Sequence, residues 1–504
     1  MNDPAMMKLQ NGSDIRGVAL EGVSGEQVNL TAAACNMIGQ AFARWLAEKT
    51  GKPVRTLAVG VGHDSRISGP VLEDALIAGL TVCGVTVVRC GLATTPAMFM
   101  SIIFPQTQFD GAVMMTASHL PWNRNGIKFF DADGGLEHED ITAILELASG
   151  KVEMTADITG CKTFDLVTLY AGYLGQHIRG NVRSTAETEQ PLGGLKIVVD
   201  AGNGDGGFFA DKILKPLGAN ISGSQFLNPD GTFPNHIPNP ENAEAMDAIR
   251  NAVVKNKADL GLIFDTDVDR MSAVLPDGTE VNRDAIIAMT AAILAPDYPG
   301  STIVTDSVTS DRLTYFLEQV LHLKHHRFQR GYKNVINECK RLNAAGITSP
   351  LAMETSGHGA LKDNYYLDDG AFLAVKLVTA LANARHEGRH LADLIEKLPP
   401  LVEAREFRFR IETDDFKSYG NSVLEKFKQR AEKAGYDLPA SYEGVRISFH
   451  DSHLQGWMLL RLSLHDPVMP LNIEGGRKGD CAGLISVART LLAGFDRLDT
   501  GALK

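Results

Sequence analysis

In the stretch MMTASHLPWNRNGIKFF a serine hydroxyl, Ser118, stands beside an imidazole, His119, and two amides, a glycine and the ammonium of Lys128 follow closely. A serine attacks poorly at neutral pH unless a base or a cation is near, and His119 and Lys128 are of the types that supply these. The competing reading is a hydroxyl that caps its own loop in an ST-turn. A second group lies in GLIFDTDVDR, where an apolar run ends in Asp265, Asp267 and Asp269. The two-residue period of extended chain predicts all three carboxylates on one side, a site for a hard cation. A calcium-binding helix-loop-helix requires glycine at its sixth loop position and glutamate at its twelfth, where this chain has Arg270 and Pro276, so that reading fails. A merely solvated acidic turn would leave three carboxylates repelling one another without a counter-ion. The third group is AMETSGHGALKDN, in which Glu354, Ser356 and His358 alternate around Gly357. A carboxylate and a hydroxyl held in a small loop can bridge adjacent sugar hydroxyls.

These residues need elements to position them. Three times an apolar, β-branched run ends in small and polar residues: LAVGVGHDSR, LKIVVDAGNGDGG and STIVTDSVTSD. Residues with helical periodicity follow, VLEDALIAGLTVCG after the first and FFADKILKPLG after the second. Strands alternating with amphipathic helices predict α/β layers with mixed sheets, whose ligands gather at the strand ends. Near the end, EAREFRFRIE and GWMLLRLSLHD alternate like half-buried strands around a helical SVLEKFKQRAEKAG, which predicts a closing α+β domain. Polar or proline-rich linkers are RSTAETEQPLGG, LAPDYPGS and EKLPPLVEAR. The expected organisation is three related α/β domains, 1–185, 186–298 and 299–402, and an α+β domain, 403–504, around a central cleft.

A chain of 504 residues exceeds what one core usually organises. Its net charge of -12, with no long cationic cluster, argues against nucleic acid and anionic membrane as partners. The start has no basic segment leading into an apolar core, and no apolar run approaches a membrane span, so a cytoplasmic protein is expected. The six cysteines lack CxxC spacing and read as reduced, mostly buried thiols.

The order Thr116-Ala-Ser118-His119-x-Pro-x-x-x-Asn125-Gly126-x-Lys128 resembles the active-site signature of the α-D-phosphohexomutases, the family of phosphoglucomutase and phosphomannomutase, with Leu120 where asparagine is usual. The acidic loop is similar to that family's DGDxDR, with Thr266 in place of glycine, and the third group to its ExSGH. SDIRG with Arg16, GHDSR with His63 for arginine, NPDGTFPNHIPNPEN, RGYKNV with Lys333, and DDG at Asp368 to Gly370 appear in the family's order. The resemblance implies that Ser118 carries a phosphoryl group and completes a Mg2+ site of Asp265, Asp267 and Asp269. It implies acid/base roles for Lys128, Arg16, His119 and His358, and substrate contacts for Arg270, Lys333, Glu354, Ser356, Arg461 and Ser463. The fourth segment departs: where the family has RxS(N/G)TxP and a later arginine, this chain reads RLSLHDPVMPLNIE. Leu464, His465 and Pro470 replace donors suited to a distal phosphate, for which His465, Arg477 and Lys478 are the candidate replacements.

The implied function is phosphoryl transfer between the 1 and 6 positions of a hexose phosphate, with a hexose 1,6-bisphosphate as intermediate and activator. Two alternatives stay open: a sugar-phosphate-binding regulatory phosphoprotein of the same fold with weakened turnover, and a phosphatase that transfers without reorientation.

Overall fold

The computed structural model describes residues 3–150, 161–183, 190–463 and 466–503, so half of the expected linker RSTAETEQPLGG, residues 184–189, lies outside it. The chain divides into two compact units, Met1–Asn282 with Ser356–Leu394, and Arg283–Thr355 with Ile395–Lys504.

Among its described residues, the first unit holds two complete sheets. In one, Gly111–Met115 and Ala58–His63 are parallel, Ala58–His63 pairs in parallel with Thr86–Leu92, and Arg124–Asp131 joins antiparallel between Gly111–Met115 and Asp14–Val18. Every residue of Gly111–Met115 is buried, as a strand covered on both faces requires. Helices Ala32–Thr50, Gly69–Val82 and His138–Ala148 share its core with Val59, Val61, Val113 and Phe129. Thr94 starts the helix Thr95–Ile103 by accepting from the Ala97 amide, and proline in its first turn suits the fixed φ there. The other sheet runs Glu280–Val281, Met271–Val274, Leu260–Phe264, Ile197–Asp200, with only the last pair parallel. The apolar FFADKILKPLG forms a short wide-turned helix, Phe209–Leu214, rather than a long α-helix.

In the second unit, Thr302–Thr305 pairs in parallel with Lys324–Arg327 and with Leu351–Met353. A separate antiparallel sheet runs Glu403–Arg410, Val468–Gly475, Gln455–Leu460, Val445–His450. One face of that sheet, with Phe409, Leu471, Met458 and Ile447, packs on helices Phe416–Lys433 and Asp480–Leu491. Three α/β segments with mixed sheets and a closing α+β segment are thus present. No helix among the described residues is long and apolar enough to cross a membrane. The six cysteines are free thiols, Cys83 and Cys161 half-buried and the others buried.

Candidate active site

Strand Gly111–Met115 delivers Thr116 and Ser118 to its carboxyl end, where Ser118 adopts a left-handed backbone with φ of 50°. Its hydroxyl donates to Asp265 Oδ2 at 2.9 Å, and His119 Nδ1 lies 3.3 Å from Ser118 Oγ. The neighbouring strand brings Lys128 opposite Met114, and its ammonium donates to Asp267 Oδ2 at 2.9 Å and to Asp269 Oδ2. Gly126 lets this strand sit close to its partners: a Cβ there would be 2.3 Å from Ile15 O and 2.7 Å from Thr116 O. Arg16, paired opposite Gly126, donates to Thr116 O and to Asp14 Oδ2.

Strand Leu260–Phe264 delivers the acidic loop. The three carboxylates do converge, with ligand oxygens within 4.8 Å of one another, but extended alternation is not the reason. After Asp265 the chain turns, and Val268 takes φ of 67°, an outlying value for a β-branched residue. The turn is held by Gly370 N donating to Val268 O and Arg270 N to Asp265 Oδ1. Thr95, at the start of its helix, grips Asp267 twice, its amide on the carbonyl and its hydroxyl on Oδ2.

Ser118, Lys128 and the three aspartates are buried and Arg16 and His119 half-buried, so their charges depend on one another. Burial and the charges of Asp269 and Asp267 push the Asp265 carboxyl well up. Burial also works against ionised Asp269, but the nearby Lys128, His358 and Arg270 charges prevail and hold it low. Burial would discharge Lys128, yet the two aspartates raise it well above the usual lysine range. Burial with the charges of Arg270 and Arg16 pushes His119 down to about 2, which leaves that imidazole neutral. Asp267 Oδ1 and Asp269 Oδ1 are buried with no hydrogen-bond partner, and the donor set is all oxygen, so these residues fit a hard divalent cation.

Arg270 Nε lies 3.7 Å from Asp265 Oδ2. His358 Nδ1 faces Asp368 Oδ2 at 2.5 Å, with Asp269 Oδ1 at 3.8 Å, and the adjoining carboxylates outweigh burial to raise its pKa. The Ser356 hydroxyl is buried without a hydrogen-bond partner. In the second unit, Glu354 accepts from Gly331 N at 2.6 Å and Lys333 sits half-buried in the first turn of helix Tyr332–Ala344. Arg461 faces Glu443 at 3.6 Å, and Ser463 Oγ accepts from Asp466 N. Arg477 is engaged by Asp480 and Ser452 O, and Lys478 is exposed. Leu464 and His465 lie outside the described residues. Pro470 is buried in the strand Val468–Gly475, its carbonyl accepting from Arg461 N. Sequence reading passed over Thr95, Asp64 and Arg66 as site residues; Asp64 and Arg66 stand in the quoted GHDSR, and Thr95 carried only a helix-start signal.

Family models describing phosphoglucomutase/phosphomannomutase α/β/α domains I, II and III match residues 7–153, 171–278 and 282–402. A phosphomannomutase/phosphoglucomutase of Pseudomonas putida is 31% identical over 490 residues, covering 95% of each chain. A crystal structure of a phosphoglucomutase/phosphomannomutase family protein from Burkholderia thailandensis superposes with a TM-score of 0.79 at 26% identity, covering 98% of each chain. An N-acetylphosphoglucosamine mutase of Aspergillus fumigatus, crystallised with GlcNAc-6P and magnesium, shares the fold at 14% identity and a TM-score of 0.52, over 76% of this chain and 88% of that one. With three consecutive family domains and an end-to-end relative above 30% identity, this chain belongs to the phosphoglucomutase/phosphomannomutase family of intramolecular phosphotransferases, the α-D-phosphohexomutases.

Proposed function

We propose that the protein is a phosphohexomutase that moves a phosphoryl group between the 1 and 6 positions of a hexose phosphate through a phosphorylated Ser118 and a hexose 1,6-bisphosphate. The observation that carries this reading is the Ser118 hydroxyl, 2.9 Å from Asp265 at the edge of a buried three-carboxylate cluster. In the forward half, the bond between Ser118 Oγ and phosphorus breaks as the sugar's free hydroxyl bonds to phosphorus, and over the step the hydroxyl's proton passes to the departing Ser118 oxygen. The bisphosphate then turns over, and its other phosphoryl group returns to Ser118. Asp265, Asp267 and Asp269 would hold Mg2+, which supplies positive charge where the transferring group accumulates negative charge. Lys128 and Arg16 add fixed cations beside Ser118, and neutral His119 orients the serine oxygen without adding charge. His358, its pKa raised beside Asp368, would act as an acid for the other sugar orientation. Glu354 and Ser356 would read sugar hydroxyls. Arg270, Lys333, Arg461 and Ser463 are the candidate substrate contacts, and His465, Arg477 and Lys478 the candidate replacements at the distal phosphate.

The test is interconversion of the 1- and 6-phosphates of glucose, mannose and N-acetylglucosamine, with catalytic sugar bisphosphate and Mg2+. Peptide mapping should place phosphate on Ser118. Ser118→Ala should lose at least about a thousandfold in rate, the scale on which removal of a serine nucleophile acts. Phosphate on another serine, with Ser118→Ala active, would rule the mechanism out.

A further inference from the structure

The motifs GHDSR and NPDGTFPN take no part in the chemistry above, yet the first is built against Ser118 and the second against the first. Arg66, from the first, is 1% exposed. Its Nη1 donates to Pro121 O at 2.7 Å and Arg124 O at 2.9 Å, and its Nη2 to Leu120 O and Ser118 O. Its Nε lies 3.2 Å from Asp64 Oδ2. That same Asp64 oxygen accepts from the Thr116 hydroxyl at 2.6 Å, and Thr116 Oγ1 in turn accepts from Ser118 N at 2.9 Å. A ring is closed: the amide of Ser118 is held through Thr116 and Asp64, its carbonyl by Arg66.

The second motif lies over the Arg66 guanidinium, which is 5.2 Å from the centroid of the Phe233 ring. Gly231 allows the approach, since a Cβ there would be 2.5 Å from both Ser65 O and Ile67 N. A planar fork of five donors can satisfy this many fixed carbonyls at once, whereas a lysine ammonium cannot. What the ring holds is the left-handed backbone of Ser118, at φ of 50°, a conformation a serine seldom keeps unaided. Relaxation to negative φ would swing Cβ, and with it Oγ, away from Asp265.

We propose that Arg66, capped by Phe233, is a positioning residue for phosphoryl transfer: with Asp64 and Thr116 it fixes the backbone of Ser118 and so aims Oγ at the Asp265 carboxylate. The proposal rests on Ser118 being the phosphoryl carrier, and its test separates the two ideas. Wild type, Arg66→Lys, Thr116→Val and Thr116→Ser are compared by kcat, KM, melting temperature and amide hydrogen exchange of residues 116–124. Misplacing a reacting atom by about 1 Å costs roughly a hundredfold. Arg66→Lys and Thr116→Val should therefore lose about 10- to 100-fold in kcat per folded molecule, with KM within about twofold and faster exchange in this segment. Thr116→Ser, which keeps the hydroxyl, should restore both. Unchanged exchange in both variants, or a lowered melting temperature with wild-type kcat per folded molecule, overturns the proposal. Should Arg66→Lys fail to fold, Thr116→Val and its serine counterpart decide alone. If the wild type shows no mutase activity while exchange still quickens in the variants, the clamp stands and the serine-carrier reading falls.

Discussion

Lys128 is the residue on which the charge balance of the acidic cluster turns. Its ammonium bonds to Asp267 and Asp269, and all three side chains are at least nine-tenths buried. Removing one partner of a buried pair leaves the other charges uncompensated, at about 3 to 5 kcal/mol. Lys128→Met should accordingly lower the melting temperature measured in EDTA. A divalent cation on the same carboxylates replaces the missing charge, and without the ammonium it has one cationic competitor fewer. Mg2+ should therefore raise the melting temperature of Lys128→Met by more than that of the wild type, as ligand linkage requires. Equal Mg2+ shifts in the two proteins would show that lysine and metal do not share these oxygens.

At the scale of elements, the loop NPDGTFPNHIPNPEN is tied to the strand Ile197–Asp200 through one histidine. His236 Nε2 lies 3.0 Å from Asp200 Oδ1, and its Nδ1 faces the carbonyl of Ile237 at 3.0 Å. With acceptors on both nitrogens the imidazolium is the form that satisfies both contacts. Burial works against that charge, but the hydrogen bond and charge of Asp200 prevail and raise the pKa above the ordinary histidine value. In that pH window the folded state binds more protons than the unfolded state, so this group's contribution is complete below the unfolded pKa and is lost as pH rises through the folded one. The urea midpoint should fall as pH rises above about 6.5, the ordinary histidine value, and the fall should be smaller in His236→Gln. An identical pH profile in that variant would remove His236 from the account.

For the whole molecule, the two units have separate cores, so unfolding should not be a single two-state event. Phe427 is fully buried in the core of the closing α+β segment, beside Phe409, Val423 and Leu471. Phe427→Ala should cost about 3 to 5 kcal/mol there. Calorimetry should show one transition moved down while the transition of the unit that holds Ser118 stays in place. A uniform shift of the whole melting profile would mean that the units unfold together.

Much of the architecture was legible in the chain because its signals are local. A buried strand ending in small and polar residues is written within about ten positions, and so are LAVGVGHDSR and GLIFDTDVDR. The nucleophile and the acidic loop could be singled out for the same reason, since residue type and short spacing carry them. Tertiary structure decided what those groups do to one another. Ser118 and Asp265 are 147 positions apart and Thr95 and Asp267 are 172 apart, distances over which no periodicity reports. The acidic loop converges through a turn at Val268 that alternation did not foresee, because neighbouring chain, the Gly370 amide among it, holds that residue in a backbone region it would otherwise avoid. The charges of Asp265, Asp269, Lys128 and His119 follow from burial and from one another, and burial exists only once the sheets have packed.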